Sequence, residues 1–189
     1  HVCVPRGMTR TSAHLTPELK PYAAVRYDAR HRPIPYYDFE HDGGSAVYAS
    51  PHDLVRFGLF HLKNHLPDQR AILADSTIEA MQRPQTPEGS EPAYGLGWLV
   101  YPNDRGFLNI SHTGGMPGVA TILSLYPTES LAVVVLLNFS DGEARVRITE
   151  EIVGAVLPRY AAARRDPTPP ATPPPFQAPA ELRGEWGGT

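Results

Sequence analysis

Three apolar segments follow one another between residues 107 and 138 with very little chain between them, and that spacing leaves few ways to fold. The last two, Val119 to Tyr126 and Leu131 to Asn138, are separated only by Pro127-Thr128-Glu129-Ser130. A link of that length closes a hairpin, so this pair runs antiparallel. Val133-Val134-Val135-Leu136-Leu137 is apolar without interruption, the pattern of a central strand covered on both faces. The first segment, Phe107 to Ser111, ends in Ser111-His112-Thr113-Gly114-Gly115-Met116-Pro117-Gly118. Small residues there leave a backbone that a substrate or another chain can approach closely. A His-Thr pair beside it supplies a ring nitrogen, a hydroxyl and free N–H groups, the parts of a carbonyl-binding site. The plainer reading of the same residues is a glycine-rich hairpin turn.

Helical periodicity provides the layers around these strands. Ser50 opens a helix, with Asp53 at capping-box spacing and Leu54, Phe57 and Leu62 on one apolar stripe. A short helix starts at Asp75 or Ser76, where Ser76 and Glu79 repeat the capping-box spacing, and stops before Pro84. Tyr94 to Tyr101 reads as a strand in which Gly95 and Gly97 alternate with bulky neighbours, giving one bare face. The final helix, Glu143 to Ala163, carries a stripe of Val146, Ile152, Val153, Val156 and Leu157. The expected fold is an α/β sandwich, an antiparallel sheet flanked by helices.

Residues 1 to 45 are rich in turn formers, and their aromatics, Tyr22, Tyr27, Tyr36, Tyr37 and Phe39, are expected to pack this loop onto the domain. At the other end, residues 166 to 179 form a proline-rich spacer, extended rather than folded. The strand-like Leu182-Arg183-Gly184-Glu185-Trp186 after it reads as the start of an appended β domain. The expected organisation is therefore a domain over 1–165, a linker over 166–179 and a second domain beginning at 180–189.

Charge and cysteine content remove several functions. A formal net charge of −3 gives no basic footprint for nucleic acid or anionic membranes. The lone Cys3 excludes an intrachain disulfide or a cysteine-based zinc cluster, and no stretch is apolar enough to span a membrane. His61 and His65 have i, i+4 spacing but lack a third ligand, and they read as surface histidines at a helix C-terminus. His31 and His41 show no ligand spacing and read as solvated. No metal and no cofactor are expected.

Four landmarks in order carry a resemblance. They are Pro5-Arg6-Gly7-Met8-Thr9-Arg10-Thr11, Gly44 to Phe57 with its Tyr48-Ala49-Ser50-Pro51-His52-Asp53-Leu54 core, Tyr94-Gly95-Leu96-Gly97-Trp98, and His112-Thr113-Gly114-Gly115. Together they resemble the C-terminal part of the catalytic domain of the penicillin-recognising serine hydrolases: class C β-lactamases, D-alanyl-D-alanine carboxypeptidases and related esterases. The resemblance implies an incomplete domain of β-lactamase/transpeptidase type. It also implies that His112 places a polar group beside the nucleophile, that Thr113 and Gly114 bind substrate, and that the Gly115 N–H forms half of the oxyanion hole. One element of the family pattern is missing. Its nucleophile lies in Ser-x-x-Lys, whereas Pro17 and Phe60 stand three positions before the only lysines, Lys20 and Lys63. Tyr101-Pro102-Asn103 spells the family's Tyr-x-Asn motif but in the wrong place. The nucleophilic Ser and its Lys/Tyr base are therefore expected outside these residues, and the chain is expected to need that missing half. The implied function is acyl-enzyme hydrolysis of a β-lactam, D-amino-acid peptide or ester; the alternative is a binding module that kept the fold without the nucleophile. Composition leaves the compartment open, while the resemblance implies a periplasmic or secreted protein.

Overall fold

The computed structural model describes residues 2–38, 41, 44–45 and 47–165. The spacer expected at 166–179 and the β domain expected from 180 lie outside the described residues. Five strands form the main sheet: β3 (Ala93–Tyr94), β4 (Leu99–Asp104), β5 (Phe107–Met116), β6 (Val119–Tyr126) and β7 (Leu131–Leu137). They follow chain order, and every neighbouring pair is antiparallel. The short strands β1 (Thr11–Ser12) and β2 (Tyr48–Ala49) pair separately, also antiparallel.

Two strand readings need correction. The segment from Tyr94 to Tyr101 is a tight hairpin rather than one strand. Gly97 takes a φ of +79°, and the Gly95 N–H donates to the Trp98 carbonyl at 2.7 Å, so the chain reverses there. The bare face at Gly95 does admit a neighbour: a Cβ there would lie 2.3 Å from the Met81 carbonyl oxygen. The second correction concerns His112-Thr113-Gly114-Gly115, which lies inside β5. The turn falls at Pro117-Gly118, where Gly118 supplies the positive φ of +73°.

Helix α1 (Pro51–His61) and helix α2 (Asp75–Met81) cover one face of the sheet. Trp98, Val100, Ile110, Leu123 and Leu125 are buried there, with Phe57, Leu59 and Met81 packed against them. At Gly58 the helix comes so close that a Cβ would lie 3.1 Å from both Ala132 Cβ and Leu125 Cδ2. The other face carries α3 (Gly142–Val156) and α4 (Pro158–Arg165) over Phe107, Tyr126, Val133, Val135, Val153 and Tyr160. Strand β7 is thus covered on both faces, but it is the last strand of the sheet rather than a central one.

The single final helix read from sequence is two helices. Pro158 forces Leu157 into an extended conformation (φ −114°, ψ 92°), and the helix restarts at the proline itself. Of the five residues in its expected stripe, only Val153 and Leu157 face the core. Val153 is fully buried and Leu157 packs against the core, while Val146, Ile148, Ile152 and Val156 stay exposed.

Helix ends show which polar residues act as caps. Ser50 Oγ accepts from the Asp53 N–H (3.2 Å), and Asp141 Oδ1 accepts from the Ala144 N–H (2.7 Å). Asp53 does not complete a capping box. It is 1% exposed and accepts instead from the Arg10 N–H (2.7 Å) and the Thr11 hydroxyl (2.8 Å), which pins the N-terminal segment to α1. Burial raises the Asp53 pKa, but the bonds from Thr11 and Arg10 outweigh it and hold the carboxyl below its usual range. Helix α2 begins after Ala74 without a side-chain cap, and Glu79 pairs with Lys63 at 2.6 Å rather than with Ser76.

The two helix-terminal histidines part company. His65 is exposed and paired with Asp75 (3.0 Å), but His61 is buried among Phe57, Phe60 and Trp98. The burial follows from the α1 register, which turns His61 onto the sheet beside Trp98. Arg6 is 1% exposed and lays its guanidinium 4.1 Å from the centre of the Phe60 ring. Of the loop aromatics, Tyr27 and Tyr37 are half-buried, Tyr22 and Tyr36 are exposed, and Phe39 lies outside the described residues. His31 stacks on Phe139 at 5.1 Å.

Asp104, at the end of β4, accepts from Tyr126 (3.1 Å) and Tyr160 (3.4 Å), tying α4 to the sheet. Burial raises its pKa, although both tyrosines and Arg105 act the other way. With the folded pKa above the unfolded one, Asp104 favours the fold most at acid pH, and that contribution is lost as pH rises through the folded pKa. Asp104→Asn is expected to melt above the parent by a margin that widens from pH 4 to pH 7. Thermal melts across that range check it, and a flat or narrowing gap would contradict the assignment.

Candidate active site

Strand β5 leaves part of its own edge uncovered. Its pairing with β4 runs from Asp104 opposite Phe107 to Leu99 opposite Ser111 and goes no further. Its pairing with β6 continues to Met116 opposite Val119. Residues 112–116 therefore have a strand on one side and an open edge on the other, where every second residue presents its N–H and C=O groups outward.

The four residues singled out from sequence lie together on this open stretch. His112 and Gly115 are exposed, and Thr113 and Gly114 are half-buried. Alternation places His112 and Gly114 on the α1 face, opposite Leu123 and Thr121, and Thr113 and Gly115 on the α3 face. The two glycines have different reasons to be glycine. A Cβ on Gly114 would lie 2.5 Å from Thr121 Oγ1, while one on Gly115 would meet nothing within 4 Å. Gly114 thus allows the strands to pair closely, and Gly115 leaves bare backbone beside open space.

Both ends of the stretch are fixed. Near its start, the Tyr94 hydroxyl lies 3.4 Å from His112 Nε2. Beyond its end, the Gly118 N–H donates to Ser140 Oγ (2.7 Å), and that hydroxyl donates to the Met116 carbonyl (3.1 Å). Tyr37 donates its hydroxyl to the Pro117 carbonyl. Arg26 stacks on the Tyr37 ring at 3.8 Å, with Nη1 3.8 Å from Met116 Sδ. The N-terminal segment therefore acts as a clamp on the turn after β5.

Among the described residues no serine-lysine couple accompanies this edge. Lys63 is held by Glu79, and Lys20 sits in a short 3₁₀ turn, Lys20–Tyr22. Ser111 and Ser124 are buried in the sheet, and Ser50 caps α1. Asn103 of the misplaced Tyr-x-Asn match accepts from the Gly106 N–H (2.7 Å) in the β4–β5 hairpin, a turn role. Among the described residues no three His, Cys, Asp or Glu side chains converge on a possible metal position, and no helix is long and apolar enough to cross a membrane. A cavity of about 730 Å³ lies at the start of α3, lined by Ser140, Asp141, Glu143 and Arg147, and one of about 290 Å³ lies beside Thr86 and Glu88. His112, Thr113, Gly114 and Gly115 line neither.

Sequence reasoning missed Tyr94 as a neighbour of His112. Its only signal was the Tyr-Gly-Leu-Gly-Trp run, which had to be read as a reversal rather than a strand before the two could meet.

An antiparallel sheet between two helical layers, with helices α1 and α2 on one side and α3 and α4 on the other, is the architecture of β-lactamases and penicillin-binding proteins. The sequence model of the Beta-lactamase family matches residues 1–157, and the chain belongs to that family. A β-lactamase from Sulfitobacter sp. EE-36 superposes with a TM-score of 0.69 at 19% identity, over 83% of this chain and 51% of that one. For a class C β-lactamase from Rhodobacter sphaeroides the values are 0.67, 18%, 82% and 52%. The octameric penicillin-binding protein homologue from Pyrococcus abyssi gives 0.66 and 23%, over 83% of this chain and 36% of that one. At these identities the likeness shows the fold. The chain spans between 36% and 52% of the length of these three structures. No curated protein matches it.

Proposed function

We propose that this chain supplies the His-Thr-Gly side of the active site of a serine hydrolase that works through an acyl-enzyme. The observation that carries this is the open edge of β5, where His112, Thr113, Gly114 and Gly115 stand together and, among the described residues, no strand pairs with them on the β4 side. Acyl transfer needs a hydroxyl to attack a carbonyl and a fixed donor to meet the negative charge that develops on its oxygen. In this reading the Gly115 N–H is one such donor, Thr113 hydrogen-bonds the substrate, and His112 holds a polar group beside the attacking hydroxyl. The substrate is a β-lactam, a D-amino-acid peptide or an ester. The nucleophile and its Lys or Tyr base come from residues outside these 189.

The test is exposure to a fluorescent penicillin followed by intact-mass measurement. The 189-residue chain alone is expected to stay unlabelled, and the complete protein to take one adduct on a Ser-x-x-Lys serine. An adduct on any serine of this chain would overturn the placement of the nucleophile. A complete protein without Ser-x-x-Lys, binding but not labelled, would make this a binding module instead.

A further inference from the structure

Tyr94 is held more firmly than an exposed ring at a sheet edge requires. Its N–H donates to Thr86 Oγ1 (3.1 Å), its carbonyl accepts from the Gln85 N–H (2.7 Å), and it pairs with Leu99. The next residue cannot shift either, because Gly95 is bonded to Trp98 and packed against the Met81 carbonyl with no room for a Cβ. The ring at the end of this fixed backbone is 40% exposed, and its hydroxyl reaches His112 Nε2 at 3.4 Å.

Strand β4 stops opposite Ser111, so on that side no strand restrains the His112 side chain, and only β6 flanks it, with Leu123 opposite. Tyr94 stands on the side that β4 leaves vacant. We propose that Tyr94 is a positioning residue for His112: its hydroxyl donates to Nε2, so the neutral imidazole carries its proton on Nδ1. This rests on the reading of His112 as a site residue. A ring nitrogen that accepts a hydrogen bond cannot also carry the proton, so the partner of one nitrogen sets the state of the other. A phenol is a better donor than a neutral imidazole N–H, which fixes the direction of the bond. The 3.4 Å separation is at the long end of the range, as is common for site hydrogen bonds before substrate closes on them. The consequence is an imidazole with one rotamer and one tautomer, presenting Nδ1–H rather than Nε2–H to a bound substrate.

Nitrogen-15 spectra of the complete protein with ring-labelled histidines, recorded near pH 9 where an ordinary imidazole is neutral, read this directly. The His112 signals are assigned by their loss in His112→Gln. In the unsubstituted chain the Nδ1–H form is expected to predominate. Tyr94→Phe is expected to move the tautomer ratio towards Nε2–H by about threefold to tenfold, the factor that one net hydrogen bond contributes, with no change in melting temperature. An Nε2–H majority in the unsubstituted chain would overturn the proposal even if the variant failed to fold. A ratio unchanged in folded Tyr94→Phe would overturn it too. The readout is independent of acylation: a complete protein that never labels sinks the hydrolase reading and leaves the tautomer result standing.

Discussion

His112→Ala in the complete protein is expected to slow acylation by about 10²- to 10³-fold, the usual loss when one fixed polar donor beside the reacting carbonyl is removed, while the melting temperature stays where it was. The two halves of this expectation have separate origins. The kinetic half comes from the placement of His112 at the first position of β5 without a β4 partner, one residue beyond the last pair with β4. The stability half comes from its exposure: the side chain meets the Tyr94 hydroxyl and fills no core space. Substitutions at such positions rarely change stability by more than about 0.5 kcal/mol. Single-turnover acylation and a thermal melt on the same preparation check both. Unchanged acylation would reduce His112 to a strand residue, and a large drop in melting temperature would make its role structural.

The second large effect is expected in stability and depends on acid. Burial, with the Arg6 cation adding to it, depresses the His61 pKa to about 4 from an ordinary value of 6.5. Its folded pKa lies below the unfolded one, so the stability tied to neutral His61 is fully present above about pH 6.5 and is lost as pH falls through about 4. The shift corresponds to about 3 kcal/mol when complete and about 2 kcal/mol by pH 5. Ring contacts with Phe57, Phe60 and Trp98 surround the imidazole, and no described residue bonds to its Nδ1. A protonated ring would therefore face aromatic edges and a guanidinium. Urea unfolding at pH 7 and pH 5 should show the parent losing about 2 kcal/mol more than His61→Leu. Parallel losses in the two proteins would mean that acid acts elsewhere.

The layers of this fold were legible wherever one residue type forces one local outcome. The Pro127-Thr128-Glu129-Ser130 link fixed an antiparallel pair, and Ser50 fixed the start of α1. What the sequence hid depended on which competing local choice tertiary packing selects. The run from Ser111 to Gly118 read as one glycine-rich turn, and only Gly118, with its positive φ of +73° and Arg26 and Ile34 packed against it, turns the chain. Gly95 and Gly97 fit a strand with a bare face as well as a reversal, and the carbonyl of Met81, far away in the chain, decides between them. His61 and His65 looked alike because helical spacing says which residues share a face but not which face meets the sheet. The candidate site was legible as a set of residues, since His112 to Gly115 are contiguous. Its geometry was not, because the open edge depends on where β4 begins. Pro158 was visible as a helix breaker, yet the apolar periodicity on both sides of it reads as continuous.

Strand β7 gives the sheet a property that its covered faces conceal. Among the described residues, from Leu131 to Leu137 it pairs with β6 alone, so its outer side is a row of donors and acceptors along an aliphatic ribbon. Beside the sheet, α3 leaves Ile148, Ile152 and Val156 at the surface. Such a border is a template: any extended segment of matching length can be copied onto it, by backbone alone and without regard to side-chain identity. Among the described residues the sheet is therefore open twice: beyond the start of β4, where substrate chemistry would sit, and along β7 on the opposite side, where an added strand could pair.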